Sequence, residues 1–240
     1  QALSEGSETL TADVSDVAGN AAATVTSSSF TVDTTVPTIS AIATSAFSWG
    51  SHLNATEDNS NGTVSVTTSG VEDGQAVTIT LNGATYTANV SSNAATVTIT
   101  ASGLQALSEG SETLTADVSD VAGNAAATVT SSSFTVDRTA TISAIATSAF
   151  SWGSHLNATE DNSNGTVSVT TSGVEDGQAV TITLNGATYT ANVSSNAATV
   201  TITASGLQAL SEGSETLTAD VSDVAGNAAA TVTSSSFTVD

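Results

Sequence analysis

Apolar and polar side chains alternate along most of this chain. Thr63-Val-Ser-Val-Thr, Ala76-Val-Thr-Ile-Thr-Leu, Thr85-Tyr-Thr-Ala-Asn-Val and Thr96-Val-Thr-Ile-Thr each set their apolar residues two apart. A period of two places them on one face of an extended strand, with threonine and serine on the other. Ile39 to Ala43 supplies an earlier strand. Thr113-Leu-Thr-Ala-Asp-Val-Ser and Thr128-Val-Thr follow, with Phe134 and Val136 extending the last one. Asn82-Gly83 sits between two such runs, the signature of a two-residue hairpin turn. No segment of useful length shows helical spacing. About seven strands in roughly 100 residues predict a two-layer antiparallel sandwich of the immunoglobulin-like type. The expected fold is all-β: tandem immunoglobulin-like antiparallel β-sandwich domains joined end to end by short linkers.

Repetition sets the domain organisation. Gln1 to Asp33 recurs unchanged as Gln105 to Asp137 and again as Gln208 to Asp240, and Ile39 to Asp137 recurs as Ile142 to Asp240. The period is about 100 residues, the size of a domain and too long for a solenoid repeat. The expected units are therefore an incomplete repeat over residues 1–33, a complete one over 34–137 and a complete one over 138–240. The linkers differ: Thr34-Thr-Val-Pro37 in the first becomes Arg138-Thr-Ala140 in the second, one residue shorter. Residues 1–33 carry only the last strands of a unit. Two strands alone cannot bury a core, so upstream residues or a neighbouring copy are expected to complete it.

Composition narrows the partners. The chain has 23 acidic residues against a single basic one, Arg138, for a net charge of -22. Nucleic acid and anionic membrane would be repelled by such a surface, and cations attracted. No apolar run approaches the roughly 18 residues of a membrane span, so membrane insertion is not expected. With 39% hydrophobic and only 10% charged residues, the chain can build cores and is not a disordered acidic tail. Cysteine is absent. Stability then comes from packing, from bound metal, or from both.

Antiparallel connectivity places the acids. In a sandwich, the loop between the second and third strands and the loop between the last two return to the end where the unit begins. These loops read Gly70-Val-Glu-Asp-Gly-Gln75 and Asp120-Val-Ala-Gly-Asn124. They would flank the linker that carries Asp33. The set at the first linker is thus Asp33, Glu72, Asp73, Asp120 and Asn124. At the second it is Asp137, Glu175, Asp176, Asp223 and Asn227. All are hard oxygen donors, the chemistry of calcium, and neither set supplies an imidazole or thiolate for zinc or copper. Two carboxylates about 5 Å apart repel by roughly 3 kcal/mol at an effective dielectric near 20, so a cluster of them calls for a cation. Asp120 shares the phase of inward-facing Leu114, Ala116 and Val118 and caps the buried face. Asp117 has the opposite phase and reads as a solvated charge. A second ion is an even alternative to an ordinary Asx-rich turn at the far-end loop, which carries Glu57 and Asp58, with Glu109 near it. The same set recurs as Glu160, Asp161 and Glu212.

Other chemistry is thin. His52, beside Trp49, has no Cys, Lys or second His near it and reads as a packed loop residue. The chain offers no nucleophile–base pair and no pocket motif, so neither an enzyme nor a small-molecule substrate is expected. One competing reading has the repeats themselves bind a glycan, ice or a partner surface, through the loop between the first two strands or through threonine-rich faces such as Thr96, Thr98 and Thr100.

The run Val-Asp-Thr-Thr-x-Pro, Leu-Asn-Ala-Thr-Glu, Gly-Val-Glu-Asp-Gly-Gln, Val-Thr-Ile-Thr-Leu-Asn-Gly-Ala-Thr-Tyr-Thr-Ala and Asp-Val-Ala-Gly-Asn-Ala resembles a bacterial immunoglobulin-like repeat. Repeats of this kind fill the extender regions of giant type I-secreted (RTX) adhesins. The resemblance covers the whole chain. It implies an extracellular location at the bacterial cell surface, calcium at the domain junctions, adjacent identical repeats as partners, and a spacer role between the cell and a distal ligand-binding domain. The second linker departs from the pattern by losing the proline and one residue.

Overall fold

The computed structural model describes residues 3–240. They divide into two compact units: one holds residues up to Gly50 with Asn61–Ala106 and Thr113–Ser133, the other Ser51–Ser60, Leu107–Glu112 and Phe134–Asp240. Both are built from short antiparallel strands of the alternating segments.

The second unit holds one whole sandwich. Its four-stranded sheet orders Ala187–Asn192, Ala179–Leu184, Thr218–Asp220 and Val232–Thr233. A three-stranded sheet orders Thr141–Ile142, Gly165–Ser172 and Ala197–Ile202, and another orders His155–Leu156, Phe237–Val239 and Gly213–Glu215. Val167 and Val169 from one layer meet Val180, Ile182 and Leu184 from the other in a single buried cluster that Trp152, Leu156 and Phe237 close. The rings of Phe150 and Trp152 stack with centroids 5.2 Å apart, and Phe237 meets both edge-on. Stacked and edge-on pairs are the favoured aromatic geometries. His155–Leu156 runs parallel to Phe237–Val239, the one parallel pairing of this sandwich among the described residues.

The first unit repeats two of these sheets. Ala94–Ile99, Gly62–Ser69 and Thr38–Ile39 form one; Val129–Thr130, Thr115–Asp117, Ala76–Leu81 and Ala84–Asn89 form the other. Val64, Val66, Val77, Ile79, Leu81, Val97 and Ile99 are all buried, as their alternation requires. Asn82 and Gly83 both take positive φ, 48° and 76°, as a type I′ hairpin demands. Residues 3–33 form two small antiparallel pairs, Gly6–Glu8 with Phe30–Val32 and Thr11–Ala12 with Val25–Thr26. Leu10, Val14, Val25 and Phe30 there are exposed.

Three features differ from the sequence reading. The last strand is not continuous: Val129–Thr130 belongs to the four-stranded sheet, whereas Phe134–Val136 pairs with Gly110–Glu112 and, in parallel, with His52–Leu53. The break falls in the serine run, where Ser131 Oγ takes a hydrogen bond from Leu114 N and donates to Ser132 O. Side-chain bonding of this kind competes with the strand ladder. His52 therefore lies on a two-residue strand rather than in an open loop. A one-turn helix, Ala101–Gln105, follows the Ala94–Ile99 strand, with Thr100 Oγ1 accepting from Gly103 N at its start.

Candidate cation site at the linkers

Each linker is fastened by one asparagine. Asn124 lies in the turn Asp120-Val-Ala-Gly-Asn124, which closes through Asp120 N to Asn124 O and Gly123 N to Asp120 O. The buried Asp120 carboxylate accepts from Asn124 N at 2.7 Å and from Asn124 Nδ2 at 2.8 Å. The same Nδ2 donates to the Asp33 carbonyl at 3.0 Å. Glu72 comes to the same turn, accepting from Val121 N at 3.0 Å. A cleft of about 340 Å³ lined by Asp33, Glu72, Val121 and Ala122 opens beside these groups. The two loops that topology assigned to this end meet here.

The second linker repeats the arrangement and adds to it. Asn227 Nδ2 donates to the Asp137 carbonyl at 2.9 Å and to Asp223 Oδ2 at 2.7 Å, and Glu175 accepts from Val224 N at 2.9 Å. Asn54 Nδ2 donates to Ala225 O at 2.8 Å, and Ala55 N donates to Asn227 Oδ1 at 3.0 Å. Every polar atom of the Asn227 amide is thereby used. Sequence reasoning missed Asn54 and Ala55, because the pattern around them reads only as an Asx-rich loop.

Asp73 and Asp176 are set apart from this group. Each caps its own sandwich instead, accepting from Ser92 N at 2.8 Å and Ser195 N at 2.7 Å. Glu57 and Glu160 cap their own loops through Asn54 N and Asn157 N. Asp58 and Glu109 meet at Arg138, whose Nε lies 2.6 Å from Asp58 Oδ2 and whose Nη1 lies 3.7 Å from Glu109 Oε1. Their counterparts Asp161 and Glu212 line a pocket of about 180 Å³ that also includes Leu210 and Asp240. Asp117 bonds Thr128 Oγ1 at the surface.

The electrostatics differ between the linkers. Burial pushes the Asp137 carboxyl above its ordinary value, and the nearby charges of Asp223, Glu175 and Glu109 push it further, against a bond from Thr139 N. For Asp120 burial also pushes upward, but the bonds from Asn124 and from the turn amides outweigh it and hold the carboxyl below the usual value. As placed, no three His, Cys, Asp or Glu side chains among the described residues gather tightly enough to hold a metal ion. The donors at both linkers are nonetheless all oxygens, and the mutual repulsion at Asp137 is what a hard cation would relieve. In donor chemistry the residues fit calcium.

Fold and linkers together define a tandem array of antiparallel β-sandwich repeats. No protein-family model and no curated protein matches the chain. Among solved structures, it is 31% identical to a bacterial immunoglobulin-like domain from the M. primoryensis ice-binding adhesin, over 43% of this chain and 98% of that one, with a TM-score of 0.30. It is 30% identical to a Ca2+-stabilized adhesin that helps an Antarctic bacterium reach out and bind ice, over 98% of this chain, with a TM-score of 0.47. The chain spans 57% of the length of that structure. A 1.5-MDa bacterial ice-binding adhesin is 28% identical over 98% of this chain and 74% of that one, with a TM-score of 0.49. The chain is thus similar in sequence, at 28 to 31% identity, to solved domains of bacterial adhesins.

Proposed function

We propose that this chain is a structural extender of a bacterial surface adhesin, a run of sandwich repeats over residues 34–137 and 138–240 preceded by part of another. Calcium bound at the linkers stiffens it. Asp33, Glu72 and Asp120 at the first linker, and Asp137, Glu175 and Asp223 at the second, would hold the ion with Asn124 and Asn227. When bound, the ion would neutralise the carboxylates and stiffen the linker. The protein residues meanwhile position the chain: each asparagine ties the linker carbonyl to the buried aspartate of the next sandwich. The proposal extends to an extracellular location, reached by type I export, and to a distal ligand-binding domain that the repeats hold away from the cell. It assigns the repeats no catalytic step.

The observation that carries this reading is the shared fastening of both linkers, where Asn124 and Asn227 each bridge the linker carbonyl and a buried aspartate while Glu72 and Glu175 accept from the same turns. Among similar structures, an adhesin described as calcium-stabilised supports it. Small-angle scattering of the chain with calcium and with excess chelator is the test. The maximum dimension should change, and its distribution broaden, on chelation; identical curves would overturn the proposal.

A further inference from the structure

Arg138 is the only basic side chain in the protein, and it is spent at one place. Its Nε lies 2.6 Å from Asp58 Oδ2, its Nη1 donates to Leu107 O at 3.1 Å, and its backbone N donates to Glu109 Oε2 at 3.3 Å. Asp58 is 4% exposed. A carboxylate so buried needs a positive partner, because stripping its water without one costs several kcal/mol. The two carboxylates and the carbonyl that meet this guanidinium are oxygen donors of the kind a hard cation takes.

The sequence from Ile142 to Asp240 is identical to that from Ile39 to Asp137. The same three residues recur there as Asp161, Leu210 and Glu212. They line an open pocket of about 180 Å³. Asp58 sits inside the 3-10 segment Glu57–Asn59. At the first linker the position of Arg138 is held by Thr34, a neutral residue whose N and Oγ1 both donate to Glu5.

We infer that Arg138 is a tethered cation that takes a divalent ion's place at the Asp58–Leu107–Glu109 oxygens, so that this corner of the second linker stays closed when metal is removed. This rests on the calcium reading for the ion it replaces, but the ion pair itself does not. Arg138→Gln would remove the charge and leave the oxygens free for calcium.

The experiment is calorimetric titration of native chain, Arg138→Gln and Arg138→Gln/Asp58→Asn with calcium chloride, with melting followed in chelator and in calcium. Arg138→Gln should bind about one more calcium equivalent than native, and its melting temperature should rise by about 5 °C more on adding calcium. The double variant should lose both gains. Equal stoichiometry, with melting temperatures shifted alike in chelator and calcium, would overturn the inference. A native chain that binds no calcium would sink the extender reading alone, because a chelator-only double-mutant cycle of Arg138→Gln and Asp58→Asn still reports the clip. Additive effects in that cycle would count against it.

Discussion

The two linkers carry the same acids on different backbones. At the first, Pro37 fixes the chain, and a Cβ added at Gly70 would lie 3.5 Å from Pro37 Cα, ordinary contact. At the second, one residue is gone and the chain crosses so closely that a Cβ at Gly173 would lie 2.1 Å from Thr139 O. Asn124 ties the linker to its own turn, and Asn227 repeats those bonds and accepts from Ala55 N as well. The repeat thus dictates which oxygens come to the linker. The linker's length and the residue after Asp33 or Asp137 dictate how tightly they are held.

The largest expected contrast is steric. Gly70 and Gly173 both take positive φ, 72° and 66°, so alanine strains either one. That strain costs about 1 kcal/mol at Gly70, and the clash with Thr139 should raise the cost at Gly173 to about 3 kcal/mol. Thermal melting of Gly70→Ala and Gly173→Ala compares them; equal losses would erase the distinction. Calcium comes next. A site with calcium at 100 times its dissociation constant adds about 2.7 kcal/mol. Chelation should therefore lower the melting temperature, with hydrogen exchange rising more around Asp120–Asn124 than around Asp223–Asn227, where Arg138 and Asn54 remain. Uniform exchange would break that order. Third, Asn227→Ala should cost about 1 kcal/mol more than Asn124→Ala, the worth of the extra bond to Ala55; urea titration of the two variants measures it.

Acidity gives the smallest effect and the one with opposite signs. Asp137 holds its proton more readily in the folded chain than in the unfolded one. Its contribution is present at low pH and is lost as pH rises through its raised value. Asp120 is held below its ordinary value, so its contribution is present above that value and lost as pH falls. Between about pH 3 and 6, without metal, the amides at Asp223–Asn227 should thus gain protection on acidification while those at Asp120–Asn124 lose it. Solvent screening keeps the Asp137 effect well under about 1 kcal/mol. Parallel pH profiles would contradict the assignment.

Much of this was legible in the chain. Period-two alternation marked Gly62–Ser69, Ala76–Leu81 and Ala94–Ile99, which each bury one face, and Ala84–Asn89, which half-buries Tyr86 and Ala88. Antiparallel connectivity alone brought Glu72 to Val121 and Asn124 to Asp33. What escaped was too short to show a period. His52–Leu53 has two residues and Ala101–Gln105 is a single helical turn, while the strand expected over Ile39 to Ala43 is confined to Thr38–Ile39. The sheet switch at Ser131–Ser133 escaped too, since it depends on a hydroxyl bonding across to Leu114 N. Among the acids, spacing could not separate Glu72 from Asp73: adjacent in sequence, one turns to the Asp120–Asn124 turn and the other to Ser92.

The parallel ribbon of His155–Leu156 with Phe237–Val239 has a mechanical consequence. Pull on the two ends of that repeat, and the bonds from Thr238 N to Ser154 O and from Asp240 N to Leu156 O are dragged sideways together rather than peeled one at a time. Stretched this way, the repeat should yield abruptly at a high load, which single-molecule stretching would record as a sharp rupture peak instead of a low plateau.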